Sequence, residues 1–299
     1  MLSKDDLDRL RVPTGKRIRL KDYATSWVQA NGGLDAHKVL VKEGAQEVLK
    51  RTLQELSEAQ QLLFANDSWA VLAIFQAMDA AGKDSIIKHV MSGVNPQGCQ
   101  VYSFKRPSSE DLSHTFLWRS QKWLPERGRI GIFNRSYYED VLIVKVHPEW
   151  LGLQKIPSEL CGKTFWQDRY DDINAFERHL TRNGVIVLKF FLHLSKDEQK
   201  KRFMERLEKP SKNWKFEAAD LAERAYWDEY QEAYESALNA TSTDWAPWYV
   251  IPADQKWATR VLVADILTST IAKLKLRAPE PTPAQRKSLE EARKKLEKE

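Results

Sequence analysis

The stretch from Trp69 to Ser85, WAVLAIFQAMDAAGKDS, constrains the chain more than any other. Ala70 to Phe75 is an unbroken apolar run, short enough for one strand and apolar on both faces, as a strand inside a parallel sheet must be. The run breaks at Gln76–Gly82 and resumes as a helical pattern from Lys83 to Met91, with Ile86, Ile87 and Val90 on one side. A strand, a small-residue loop closed by Gly-Lys and a helix together cradle phosphate. The loop amides and the helix N-terminus point at the anion, and the lysine adds a full charge.

The loop departs from the common phosphate-binding pattern. Ala77 stands where a glycine precedes the Gly-Lys pair by five residues, and Asp84 stands where a hydroxyl would hold magnesium, with Ser85 one further on. The loop also carries an acid, Asp79. A carboxylate inside a phosphate cradle repels phosphate unless a cation lies between them, so Asp79 reads as a magnesium ligand. For the loop taken alone, a chance Ala-Gly-Lys-Asp turn before an ordinary helix is the plain alternative.

Further strands are expected at Cys99–Phe104, Arg129–Phe133, Gly184–Leu192 and Pro247–Ile251. Helices are expected at about Leu34–Phe64 (Val41, Val48, Leu49, Thr52, Leu56 and Leu63 at helical spacing), Ser108–Leu124, Val141–Val146, Lys163–Arg182, Lys196–Leu207, Asp220–Ala240 and from Gln255 to about Leu276. Ser195 and Glu198 have capping-box spacing. Strands alternating with helices imply an α/β fold with a parallel sheet covered on both faces. Residues 1–33 read as an irregular arm, basic over Thr14–Lys21 and closed by Asn31-Gly-Gly33. Residues 34–276 read as one domain. Residues 277–299, past Pro279–Pro283, read as a charged helical tail, either peripheral or an oligomer contact.

In such sheets ligands lie beyond the C-terminal ends of the strands. Lys105 and Arg106 follow the second expected strand, and Asn134, Arg135 and Glu139 follow the third. Arg135 offers a planar fork suited to phosphate, while Asn134 supplies an amide rather than a carboxylate. An asparagine cap beside a surface arginine is the alternative there. Arg202 and Arg206 lie four apart on the helix after Ser195, hence on one face. With the basic aromatic loop Lys209–Phe216 they read as a lid over about 195–216, or else as an amphipathic surface helix.

The net charge of +5 implies acidic partners such as nucleic acid, phosphorylated metabolites or polyphosphate. Two cysteines are too few for a disulfide framework or a zinc site and fit a reducing cytoplasm. The sequence holds no apolar run of about 18 residues and begins without a secretory h-region, so neither a membrane span nor export is expected.

Taken in order, Ala77-Met-Asp-Ala-Ala-Gly-Lys-Asp84, Ser92-Gly-Val-Asn-Pro-Gln-Gly98, Phe133-Asn-Arg-Ser-Tyr-Tyr-Glu-Asp-Val141, Gln199-Lys-Lys-Arg-Phe203 and Lys209-Pro-Ser-Lys-Asn-Trp-Lys-Phe216 resemble the polyphosphate kinase type 2 family, over roughly Arg17 to Leu276. The resemblance implies a three-layer α/β/α P-loop kinase fold with a parallel sheet of about five strands, like thymidylate kinase, and a helical lid. It implies reversible transfer of the terminal phosphoryl group of inorganic polyphosphate to AMP or ADP, dependent on Mg2+ with Mn2+ as a substitute. It further implies a homo-oligomer, expected as a homodimer or homotetramer; a cytoplasmic location is expected, and neither nucleic acid nor membrane is expected as a partner. By position, Asp79 matches the acid that holds magnesium, Lys83 the loop lysine, Arg135 the arginine of the second motif, and Arg202 and Arg206 the lid positions that meet the chain. Lys88 is expected among the polyphosphate contacts, and Lys105 and Arg106 among the nucleotide contacts. Members restricted to one acceptor often carry Asp where Asn134 stands. Asn134 with Glu139 resembles the subgroup that accepts both AMP and ADP. An ATP-dependent nucleoside monophosphate kinase, a nucleic-acid-binding module and a non-catalytic scaffold are the competing readings.

Overall fold

The apolar run becomes the centre of a five-stranded sheet. The computed structural model describes residues 3–30 and 42–299. Its strands are β1 (Ala70–Ala77), β2 (Cys99–Ser103), β3 (Ile130–Asn134), β4 (Val185–His193) and β5 (Trp248–Pro252), in the order β2-β3-β1-β4-β5. Every pairing is parallel. All eight residues of β1 are buried. Their alternation sends Val71, Ala73 and Phe75 into the core on one face and Ala70, Leu72 and Ile74 into the core on the other.

The longer helices are α1 (Lys42–Asn66), α2 (Lys83–Val90), α3 (Phe165–Arg182), α4 (Lys196–Glu208), α5 (Trp227–Thr241), α6 (Lys256–Ala272) and α7 (Pro283–Leu296). On one face of the sheet, α1 contributes Leu56 and Leu63, α2 contributes Ile86, Ile87 and Val90, and α6 contributes Val263, Ile266 and Leu267. On the other, α3 contributes Tyr170 and Ile173, α5 contributes Tyr234 and Leu238, and the turn after β3 contributes Tyr137 and Tyr138. Two covered faces give the three-layer α/β/α arrangement that the strand–helix alternation implies. No helix among the described residues is long and apolar enough to cross a membrane.

Several expected helices are shorter than their patterns. The helix expected at Leu34–Phe64 is seen from Lys42 to Asn66. Its first part, including Val41, and the Asn31-Gly-Gly33 turn lie outside the described residues. The helix expected at Ser108–Leu124 is two single turns, Ser109–Leu112 and Trp118–Gln121. Side chains capture the backbone acceptors there: Ser113 Oγ donates to the Ser109 carbonyl, and His114 Nδ1 lies 2.9 Å from the Glu110 carbonyl. The helix expected at Val141–Val146 is a 3-10 turn, Tyr137–Val141, followed by one α turn, Ile143–Val146. The one expected at Asp220–Ala240 is split by a 3-10 turn at Arg224–Tyr226. α6 stops at Ala272, short of Leu276. At Ser195 only half of the capping box forms. The Ser195 hydroxyl accepts from the Glu198 amide, but the Ser195 amide donates to Asp254, and the Glu198 carboxylate turns to Arg202.

The N-terminal arm is laid along the domain. It opens with a helix, Lys4–Leu10, and bridges β5 through Arg11 and Tyr249. Its Ile18 and Leu20 amides donate to Asn239 and Glu235 of α5. The end of β4 faces this arm through His193, a buried imidazole that burial holds down to about pKa 4. Because that value lies below the 6.5 of an exposed imidazole, His193 contributes stability that is complete above pH 6.5 and lost as pH falls toward 4. The contribution amounts to about 3 kcal/mol. In urea titrations, His193→Gln is expected to flatten the fall in stability between those pH values relative to wild type. An unchanged slope would count against this account.

Candidate active site

The site forms where β1 and β3 end side by side, Phe75 opposite Asn134. Past Ala77 the chain turns through Met78–Gly82 into α2. Ala80 (φ 60°) and Gly82 (φ 99°) both adopt the left-handed conformation, which glycine takes without strain and alanine only under constraint. Gly82 is the N-cap, so no side chain occupies the first amides of α2, and they remain available to an anion. Lys83 Nζ folds back to the Ala77 carbonyl at 3.0 Å. Burial and then the nearby Arg135 lower its pKa, while Asp79, Glu139 and Asp84 raise it in opposition.

Arg135 also holds a left-handed backbone (φ 63°), fixed by its amide donating to the Phe75 carbonyl at 3.0 Å. Its guanidinium lies 3.3 Å from Asp79 Oδ1 and 3.8 Å from Glu139 Oε2, and the two carboxylates keep it charged, Glu139 most of all. Gln76 orients Glu139 through a 3.0 Å hydrogen bond. The Asn134 amide donates to Asp84 Oδ1 at 2.6 Å and lies 3.4 Å from the Ser103 hydroxyl. Asp79, Lys83, Asn134, Arg135 and Glu139 are therefore brought together.

The mouth balances three carboxylates, Asp79, Asp84 and Glu139, against two cations, Lys83 and Arg135. Without a further cation it is a poor host for two polyanions. Its oxygen donors suit a hard divalent ion. Among the described residues no three His, Cys, Asp or Glu side chains gather into a closed metal site. One or two carboxylates completed by phosphate oxygens and water is the set magnesium takes at such a site.

A profile of the polyphosphate kinase 2 family matches residues 39–279. The chain belongs to the polyphosphate kinase 2 family. It is similar to the ADP-polyphosphate phosphotransferase of Rhodopseudomonas palustris, at 56% identity over 256 residues, covering 85% of this chain and 89% of that protein. It is similar to the AMP/ADP-polyphosphate phosphotransferase of Meiothermus ruber, at 46% identity over 282 residues, covering 94% of this chain and 98% of that one. The crystal structure of polyphosphate kinase 2 from Arthrobacter aurescens superposes with a TM-score of 0.80 at 40% identity, covering 94% and 95% of the two chains.

One residue expected to bind the polyphosphate chain, Arg202, lies against the carbonyl side of the loop instead of in its mouth. Arg202 is 5% exposed, and its N–H groups all turn inward. Nε donates to Glu198 at 2.9 Å, Nη1 to the Ala80 and Ala81 carbonyls at 3.0 and 2.8 Å, and Nη2 to the Ala253 and Asp254 carbonyls at 2.7 and 3.3 Å. A guanidinium has five N–H donors, so none is left for polyphosphate, and the expectation for Arg202 is corrected. Arg206, one turn further, remains near the mouth but is held by Asp220 and the Lys215 carbonyl, each at 3.1 Å. Burial and then the charge of Asp79 raise the Asp220 pKa, which ties this pair electrostatically to the loop.

Lys88 is exposed on α2, one turn beyond Asp84 on the same face. Lys105 and Arg106 are exposed past β2; the Lys105 carbonyl accepts from Arg119, and Arg106 stacks over Trp150 at 5.2 Å. Sequence reasoning overlooked Gln76, Gln199 and Asp220 as site residues. Of these only Gln199 carried a signal, as the first residue of a family-like motif.

Proposed function

We propose that the protein transfers the terminal phosphoryl group of inorganic polyphosphate to AMP and ADP, reversibly and with magnesium. The observation carrying this reading is the meeting of Asp79, Lys83 and Arg135 at the ends of β1 and β3, in a chain whose relatives are named ADP-polyphosphate phosphotransferase and AMP/ADP-polyphosphate phosphotransferase. The attacking atom is a phosphate oxygen of the nucleotide, already deprotonated at neutral pH. It bonds to the terminal phosphorus as the bond to the next phosphate breaks, and the shortened chain leaves as an anion. No proton need move, so the reaction asks the protein for alignment and charge compensation.

Lys83 and the open amides of α2 hold oxygens of the phosphoryl group in transit. Arg135 spans the two substrates with its fork and is kept in place by Asp79 and Glu139. Asp79 would hold the magnesium, with Asp84 and Asn134 beside it. An ion held there would supply charge neutralisation for the two polyanions. Arg206, Lys88 and the basic residues at 209–215 extend the path for the polyphosphate chain, and Lys105 and Arg106 meet the nucleotide. Release of Arg206 from Asp220 accompanies arrival of the chain. The protein works in the cytoplasm as a homo-oligomer, with residues 195–216 closing over the donor.

The test is donor choice. Long-chain polyphosphate and magnesium are offered AMP, ADP, GMP and GDP separately, without ATP, and products are resolved by chromatography. ADP and ATP are expected from AMP, and ATP from ADP. Product formed only when ATP is the donor would overturn the reading.

A further inference from the structure

Three successive carbonyls of the phosphate loop accept hydrogen bonds from side chains of one helix. Gln199 Nε2 of α4 donates to the Asp79 carbonyl at 3.0 Å, and Arg202 Nη1 donates to those of Ala80 and Ala81. Both side chains are buried, Gln199 at 1% exposure and Arg202 at 5%. Each is anchored from behind. Arg224 Nη1 donates to Gln199 Oε1 at 2.7 Å, which fixes which end of the amide faces the loop. Glu198 and the Ala253 carbonyl fix the Arg202 fork.

A carbonyl and the amide next to it in the chain share one rigid plane and point opposite ways. Drawing the carbonyls of Asp79 and Ala81 toward α4 therefore turns the amides of Ala80 and Gly82 the other way, while the Ala81 amide closes the turn by donating to the Met78 carbonyl at 3.3 Å. Loop amides turned to one side, together with the uncapped first amides of α2, form a concave anion site. The loop includes Ala80 in a left-handed conformation that alanine does not hold unaided. We propose that Gln199 and Arg202 are positioning residues of the phosphate loop, keeping its carbonyls withdrawn and its amides presented before any substrate arrives. This rests on the phosphoryl-transfer reading for its consequence in catalysis, although the loop geometry itself does not. It gives α4 two functions: its buried side holds the loop, while Arg206 serves the mouth.

The test uses Arg202→Lys, which keeps the charge but not the fork, and Gln199→Leu, which keeps the bulk but not the donor. Hydrogen exchange of peptides covering residues 77–84 is measured on the full chain without substrate, alongside melting curves and steady-state kinetics with polyphosphate and ADP. Loop exchange is expected to rise at least about tenfold in Arg202→Lys, with exchange elsewhere unchanged. kcat is expected to fall about a hundredfold, the usual consequence of small misplacement in a site, with a smaller change in KM for polyphosphate. Gln199→Leu is expected to move both readouts the same way by less. Combining the two should lose less than the product of the single effects. Unchanged loop exchange in both variants, or a loss confined to KM for polyphosphate, would overturn the proposal. Should Arg202→Lys fail to fold, Gln199→Leu decides it alone. Because exchange is read without substrate, a wild type inactive with polyphosphate would defeat the function reading and leave the loop proposal to its own result.

Discussion

Lys83→Ala and Asp79→Asn are each expected to lower kcat/KM for polyphosphate-driven ATP formation by about a thousandfold, with melting temperatures within a few degrees of wild type. Lys83 is the cation that sits inside the loop, and in the free protein its ammonium donates to the Ala77 carbonyl. Losing it removes charge compensation in the transition state and little packing. Asp79 is about a third exposed and pairs with Arg135, which keeps Glu139 as a second partner. Its neutralisation relieves repulsion among three carboxylates, so folding should not suffer. Circular-dichroism melts with steady-state kinetics check both halves. Near wild-type rates in either folded variant would remove that residue from the mechanism.

The largest expected effect on stability lies behind the site. Lys189 of β4 is fully buried, with Nζ 2.5 Å from Glu177 Oε2, 2.7 Å from the Thr241 carbonyl and 3.0 Å from the Tyr138 hydroxyl. Glu177 also accepts from the Tyr137 and Tyr138 hydroxyls at 2.8 and 2.9 Å. Burial pushes the Glu177 pKa up and the Lys189 pKa down, and their mutual attraction works against both shifts. Glu177→Ala strands a buried ammonium and is expected to destabilise by about 3–5 kcal/mol, or roughly 10 °C in melting temperature. Glu177→Leu combined with Lys189→Met is expected to regain most of that, since a well-packed apolar pair avoids the desolvation cost. The network matters to function because Tyr137 and Tyr138 directly follow Arg135 and Ser136. A Glu177→Ala protein as stable as wild type would show that the pair contributes nothing to the fold.

The sheet was legible because its strands are short apolar runs bounded by turn residues, β1 most clearly. Strand ends then located Asp79, Lys83, Asn134, Arg135 and Glu139, since a parallel sheet gathers the loops after its strands at one edge. The direction of Arg202 was not legible. Helical spacing shows that Arg202 and Arg206 share a face but not what that face meets. The partners of Arg202, Ala80 and Ala81, lie more than a hundred residues earlier and offer backbone carbonyls, which leave no mark in a sequence. The split helices were hidden for a local reason: at Ser113 and His114, side chains take acceptors that a helix would need.

The central claim is that a cation held by Asp79 makes this mouth a host for polyanions. It is tested most directly by the affinity of wild type and Asp79→Asn for long-chain polyphosphate, each measured in magnesium and in EDTA. The account predicts that magnesium tightens binding by about tenfold or more in wild type and much less in Asp79→Asn. Equal tightening in the two proteins would contradict it.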